Sequence, residues 1–224
     1  MADKLRVIIT GASGMVGEGV LRVCLQHDAV ERVLVVGRRP CGVQHPKLEE
    51  VLHPDFFDLT PIADRLQGYN ACFFCLGVSS VGMKAGDYYR YTYTLTLHFA
   101  ETVSRQNPDM VFIYVSGAGT DSTEKGRSRW ARVKGKTEHD LMQLPFRAVY
   151  NFRPGYIHPL PGAQHTHGLY KALGWLYPLL RRVFPRHVST MQELALAQIR
   201  AARDGYPRHV LEVKDIIALA GGNA

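Results

Sequence analysis

Residues 5–28 read LRVIITGASGMVGEGVLRVCLQHD, and this stretch decides the fold. LRVIIT (5–10) is a short β-branched run of the kind that forms a buried strand. MVGEGVLRVCLQHD (15–28) carries Val16, Val20, Val23 and Cys24 at helical spacing, with Leu21 beside them. Between the two, Gly11, Gly14 and Gly17 give G-x-x-G-x-x-G directly after a strand and opening a helix. Gly11 permits a tight turn, Gly14 lets backbone approach a pyrophosphate, and Gly17 lets the helix pack close to the strand. The helix N-terminus adds unpaired N–H groups and a positive dipole end. Gly11, Ala12, Ser13, Gly14, Met15, Val16 and Gly17 are therefore the expected cradle of a dinucleotide.

Working outward, strand-like runs alternate with helix-like stretches. RVLVVG (32–37), LEEVLH (48–53), ACFFCLG (71–77), MVFIYVS (110–116) and FRAVYNFRP (146–154) read as strands. Helices fall between them, notably at about 85–106 and 127–143, and HVLEVKDIIALA (209–220) reads as a late strand and a short helix. Such alternation with buried strands predicts an α/β fold, a doubly wound parallel (Rossmann) sheet covered by helices on both faces. Residues 1–224 form one expected domain, with about 158–224 as a small segment covering the substrate side.

The bulk properties agree with a soluble globular chain. Of the 224 residues, 46% are hydrophobic and 21% charged. No apolar run approaches the length of a membrane span, and the strand pattern begins almost at once, so neither a transmembrane segment nor a signal peptide is expected. Cys24, Cys41, Cys72 and Cys75 show no disulfide framework, which points to a reducing, cytoplasmic setting. Cys72 and Cys75 form C-x-x-C inside a buried run and read as core residues. The formal charge of +7 favours an anionic partner.

The end of the second strand distinguishes the cofactors. An NAD site places Asp or Glu there to bind the ribose hydroxyls. Here the run ends VVGRRP, with Arg38 and Arg39. Guanidinium groups bind a 2′-phosphate that a carboxylate would repel, so NADP(H) is expected over NAD. Asp58, in HPDFFDLTP, follows the third strand. It could accept from the adenine amino group with the Leu59 amide beside it, or cap the helix starting near Pro61, for which Thr60 is the better candidate. Leu76, Gly77 and Val78, closing the fourth strand, should border the ribose.

The order TGASGMVG, VGRRP, CLG, YVSGAG, KGKTE and FRPGYI resembles the short-chain dehydrogenase/reductase superfamily, in particular its atypical members with an epimerase-like glycine pattern. It is especially similar to the Tat-interacting-protein oxidoreductase group, over roughly residues 4–160. The resemblance implies an NADP(H)-dependent oxidoreductase or epimerase-like enzyme acting on a small carbonyl or hydroxyl substrate. It implies that Ser116 holds a substrate oxygen and that Lys134 binds the nicotinamide ribose and lowers a tyrosine pKa. It further implies that Arg153, Pro154 and Gly155 pass the nicotinamide, with Tyr156 and Ile157 lining its pocket.

One departure bears on the chemistry. The superfamily tyrosine sits four residues before the lysine, and this chain has Trp130 there. Indole N–H donates but does not titrate usefully, so Trp130 cannot be the acid/base. Three readings compete. Another group supplies the proton, with Tyr89, Tyr91, Tyr93 and Tyr156 as candidates; or no such donor is needed; or the protein binds NADP without turnover as a sensor or interaction protein. Thr92 stands where related enzymes often have an asparagine supporting a water relay. The basic residues from Lys125 to Lys136 read as a solvated helix face, and no nucleic-acid recognition motif accompanies them. HGLYKALGWLYPLLRRVF (167–184) is apolar, with Pro178 expected to bend it, and reads as a cover segment, a dimer face or a membrane-surface element. A homodimer fits the superfamily pattern. His165 and His167 lack carboxylate or cysteine partners nearby, so no metal site is expected.

Overall fold

The computed structural model describes residues 4–163 and 177–221. Its strands are β1 (Leu5–Thr10), β2 (Val30–Gly37), β3 (Leu48–Leu52), β4 (Ala71–Phe74), β5 (Val111–Val115), β6 (Ala148–Arg153), β7 (Tyr156–His158), β8 (Val188–Thr190) and β9 (Val210–Glu212). Seven of them form one parallel sheet in the order β3-β2-β1-β4-β5-β6-β9, and β7 and β8 make a separate parallel pair. The order runs outward from β1 to β3, then reverses at β4. A crevice therefore opens between β1 and β4 at the carboxyl ends, where such sheets bind ligands.

The helices are α1 (Met15–Gln26), α2 (Ala85–Tyr89), α3 (Leu95–Gln106), α4 (Arg129–Leu141), α5 (Tyr177–Val183), α6 (Met191–Asp204) and α7 (Val213–Gly221). A 3₁₀ helix spans Thr60–Leu66, and a π-helical turn, Arg90–Thr94, joins α2 to α3. Strand side chains alternate between two cores, as a period of two requires. Val7, Ile9, Val33, Val35, Phe73 and Ile113 pack with Val20, Leu21 and Cys24 of α1 and Leu194 and Ala201 of α6. Ile8, Leu34, Val36, Cys72, Phe74 and Phe112 pack on the other face with Phe99, Ala100 and Val103 of α3. The near-continuous hydrophobic strands reflect burial on both faces.

The chain beyond residue 188 is largely core, not cover. α6 packs on α1 closely enough that a Cβ on Gly19 would come within 2.2 Å of Met191 Cγ. β9 extends the sheet beside β6. α6 is not among the expected helices, although Met191, Leu194, Ala195 and Gln198 fall at helical spacing and its start carries a signal. Thr190 and Glu193 form a capping box, each side chain accepting from the other residue's backbone amide. Pro178 lies within α5. His165, His167 and the stretch 164–176 lie outside the described residues. All four cysteines are free, and burial pushes the Cys72 and Cys75 thiols up. Among the described residues no helix is long and apolar enough to cross a membrane.

Candidate functional site

The glycine loop is built by contacts that exclude side chains. Gly11 has φ +72°, and a Cβ there would lie 2.7 Å from the Leu76 amide nitrogen. A Cβ on Gly17 would lie 2.2 Å from the Gly11 carbonyl oxygen, so the helix can approach the loop only as glycine. Gly14 differs: its Cβ would meet that same oxygen at 3.4 Å, close but adjustable, and the residue is exposed. Gly14 is the N-cap of α1 and offers no side chain to the first-turn amides, which lie ahead of the first helical bond, Glu18 N to Gly14 O. Those open amides and the helix dipole suit a phosphate.

A groove runs from this loop across the end of β2. Gly11, Ala12, Ser13, Arg38, Arg39 and Leu76 line its first part. Arg38 and Leu76 also line the next part, an apolar compartment of about 400 Å³ with Phe57, Val78, Arg90 and Tyr91. Arg38 and Arg39 are exposed, and neither has an ion-pair partner among the described residues. Asp55 is the one carboxylate in the lining of either part. Gly77 has nothing near its missing Cβ.

Ser116 and Lys134 meet at the end of β5, with Trp130 one helical turn before Lys134. Ser116 is nearly buried, and its Oγ lies 3.0 Å from Thr120 Oγ1. Thr120 Oγ1 donates to Gly117 O at 2.8 Å, which leaves it to accept from Ser116. Lys134 Nζ donates to Ser116 O at 2.9 Å and lies 5.4 Å from the centre of the Tyr114 ring. Burial lowers Lys134 from 10.5 to about 8, against an upward pull from Glu138. Trp130, one turn earlier, lies against Gly119, whose φ of +85° shapes the loop after Ser116. That loop docks on α4 because position 135 is glycine: a Cβ there would sit 1.9 Å from Asp121 O.

Several sequence candidates do other work. The Arg153 side chain is bonded within the protein. Its guanidinium donates to Glu138 Oε1 (3.0 Å), Glu212 Oε1 (3.2 Å), Glu138 Oε2 and Ser122 Oγ, tying β6 to α4, β9 and the β5–α4 loop. Gly155 is required by the chain itself, since its Cβ would lie 2.3 Å from His187 O. The Pro154 carbonyl accepts from Ala118 N at 2.9 Å, and Tyr156 N donates to His187 O at 2.9 Å as β7 begins. The Asp58 carboxylate accepts from Thr60 N at 3.0 Å, and the Leu59 side chain is buried in the second core, so neither side chain lines the groove.

The tyrosines divide as well. Tyr93 donates to Asp140 at 2.6 Å, and this bond pushes its phenol up to about 12. Asp140 also accepts from Lys136, two positions beyond Lys134 and so on the opposite side of α4. Tyr93 and the Tyr89 ring tilted against it therefore face away from Ser116, while Tyr91 faces the apolar compartment. Thr92 is buried, its carbonyl accepting from Thr96 Oγ1. The basic stretch is largely spent locally: Arg129 donates to Met83 O and Arg132 to Gly126 O. Sequence reasoning misses Phe57 and Arg90. The available signals are the paired phenylalanines of PDFF and the one cation inside YYRYTYT.

Comparison with known proteins agrees with this geometry. The chain is 24% identical over 204 residues to protein FMP52, mitochondrial, of Meyerozyma guilliermondii, covering 88% of this chain and 85% of that one. The ADP-L-glycero-D-manno-heptose-6-epimerase of Helicobacter pylori shares the fold at TM-score 0.67 and 15% identity, covering 98% and 81% of the two chains. A short chain dehydrogenase of Burkholderia cenocepacia, solved with NADP, matches at TM-score 0.66 and 15% identity, covering 93% and 87%. The cytoplasmic expectation is corrected here. It rested on unpaired cysteines, whereas the curated relatives are named as mitochondrial proteins. Residues 7–129, from β1 through the glycine loop and the end of β2 to the start of α4, match the model of one family. With that match over a glycine cradle at the switch point of a seven-stranded parallel sheet, the chain belongs to the NAD dependent epimerase/dehydratase family.

Proposed function

We propose that this protein binds NADP(H) along the groove from Gly11 to Arg39 and acts as an oxidoreductase or epimerase-like enzyme on a small carbonyl or hydroxyl substrate. The carrying observation is the pair Arg38 and Arg39 in the groove beside an unobstructed glycine loop. Two guanidinium groups without protein carboxylate partners suit a 2′-phosphate. Bound dinucleotide would supply hydride transfer. Ser116 then orients the substrate oxygen, and Lys134 holds the ribose while its link to Ser116 O keeps the two aligned. The names of the relatives point to mitochondria as the place of work. Titration with NADPH and NADH tests the cofactor claim, and equal affinities would reject it.

A specific observation also favours a second reading, a non-catalytic NADP sensor or interaction protein. Trp130 fills the tyrosine position, and Tyr93 is committed to Asp140 on the far side of α4. Trp130→Tyr separates the two readings. In the enzyme reading the parent already oxidises NADPH with some member of a carbonyl panel. In the sensor reading the parent is silent and turnover appears only in the variant.

A further inference from the structure

Arg90 is unexplained by the glycine loop, the β2 arginines or the Ser116–Lys134 pair. It opens the π-helical turn Arg90–Thr94, and its guanidinium lies 4.5 Å from the centre of the Phe57 ring. The Phe57 ring also neighbours that of Tyr91, with centroids 6.1 Å apart. All three residues line the apolar compartment that continues the groove beyond Arg38. Arg90 is exposed and has no ion-pair partner among the described residues. A helix interior does not need a cation laid over a phenylalanine. A flat π-face on one wall and a planar guanidinium above it do match the two faces of a purine.

The position in the helix has a cause. A π turn inserts one residue into the helical ladder and shifts the register of the residues after it. Here it brings two consecutive residues, Arg90 and Tyr91, onto the groove wall, while Tyr88 and Thr92 stay buried. Arg38 lies at the junction of the compartment and the loop-side groove, so a ligand reaching Arg38 with a phosphate brings its base into contact range of Phe57.

We propose that Arg90 and Phe57 form a stacking clamp for the adenine base, the guanidinium leaving its contact with the phenyl ring to close over the purine. This rests on the NADP(H) reading above and adds a determinant of base recognition that Arg38 and Arg39 do not supply. The two arginine sets then act on different parts of one ligand. Arg38 and Arg39 read the 2′-phosphate, and Arg90 reads the base.

Dissociation constants for NADPH, NADH, 2′,5′-ADP and nicotinamide mononucleotide, measured on parent, Arg90→Ala, Arg90→Lys, Phe57→Ala and Arg38→Ala, test the clamp. Circular dichroism confirms that each variant is folded. Arg90→Ala and Phe57→Ala are expected to weaken every adenine-bearing ligand, NADH included, by roughly 5- to 10-fold. Arg90→Lys should not restore binding, because lysine keeps the charge without the plane. Nicotinamide mononucleotide, which has no adenine, should be unaffected, and Arg38→Ala should weaken only the 2′-phosphate ligands. The clamp is overturned by unchanged NADH and 2′,5′-ADP binding in Arg90→Ala. It is equally overturned if the loss is confined to 2′-phosphate ligands and rescued by lysine. In both cases the NADP(H) reading stands. A parent that binds no dinucleotide overturns both.

Discussion

At the residue scale, the three loop glycines separate into two that the fold requires and one, Gly14, that the fold alone does not. Gly17→Ala would drive a methyl group to within 2.2 Å of a backbone oxygen, which neighbouring backbone cannot cheaply vacate. A loss of about 1–3 kcal/mol in urea denaturation is expected, with binding lost alongside. Gly14→Ala meets the same oxygen at 3.4 Å, so stability should stay near the parent while NADPH affinity drops, because the new methyl group stands where the pyrophosphate would approach. Equal damage to stability from both substitutions would remove the distinction. Lys134 offers a second residue-level check. Burial lowers it from 10.5 to about 8. Between those values the unfolded chain keeps a proton that the folded chain has released, so stability rises with pH across the window. Below about 8 both states are protonated and the burial penalty is constant; above 10.5 it is gone. Lys134→Met should flatten the stability profile between these limits in chemical denaturation at fixed ionic strength.

At the scale of elements, Arg153 occupies a motif position and also ties three elements together. FRPG after the sixth strand resembles a nicotinamide loop, yet the arginine ends β6 pointing toward α4, where Glu138 waits nearly buried. Removing the guanidinium strands a carboxylate inside the protein, so Arg153→Met should cost about 3–5 kcal/mol. The double variant with Glu138→Leu should recover much of that loss. NADPH affinity of the folded fraction should hold, which a cofactor ligand would not allow. This element marks the limit of what the sequence discloses. The strands are readable because burial on both faces makes them continuous β-branched and aromatic runs, and the first loop because its three glycines fall within seven residues between a strand run and a helix run. The partners of Arg153 come from 15 and 59 residues away, beyond any local pattern. Arg90 escapes for a related reason: the ring it covers, Phe57, lies 33 residues away, beyond any local pattern.

At the scale of the whole molecule, the switch point of the sheet places the groove residues on one edge, contributed by the ends of β1, β2 and β4, the segment after β3 and the helix after β4. A ligand there joins both halves of the sheet, so binding should be visible as global stability. Occupancy at about 100 times the dissociation constant adds roughly 2.7 kcal/mol, which for a chain of this length raises Tm by about 5–11 °C. NADPH should give the larger shift at equal concentration, because NADH leaves Arg38 and Arg39 side by side without an anion to hold. Both guanidinium groups are exposed, and exposed charge interactions are screened beyond a Debye length of about 10 Å at 0.1 M salt and about 3 Å at 1 M. The NADPH advantage should therefore narrow as salt rises, whereas the NADH shift, carried by loop amides and base stacking, should fall less. Differential scanning fluorimetry with both cofactors across that salt range gives the answer directly. A gap between the two that does not change with salt would mean that the preference comes from shape at the end of β2 and not from its charge.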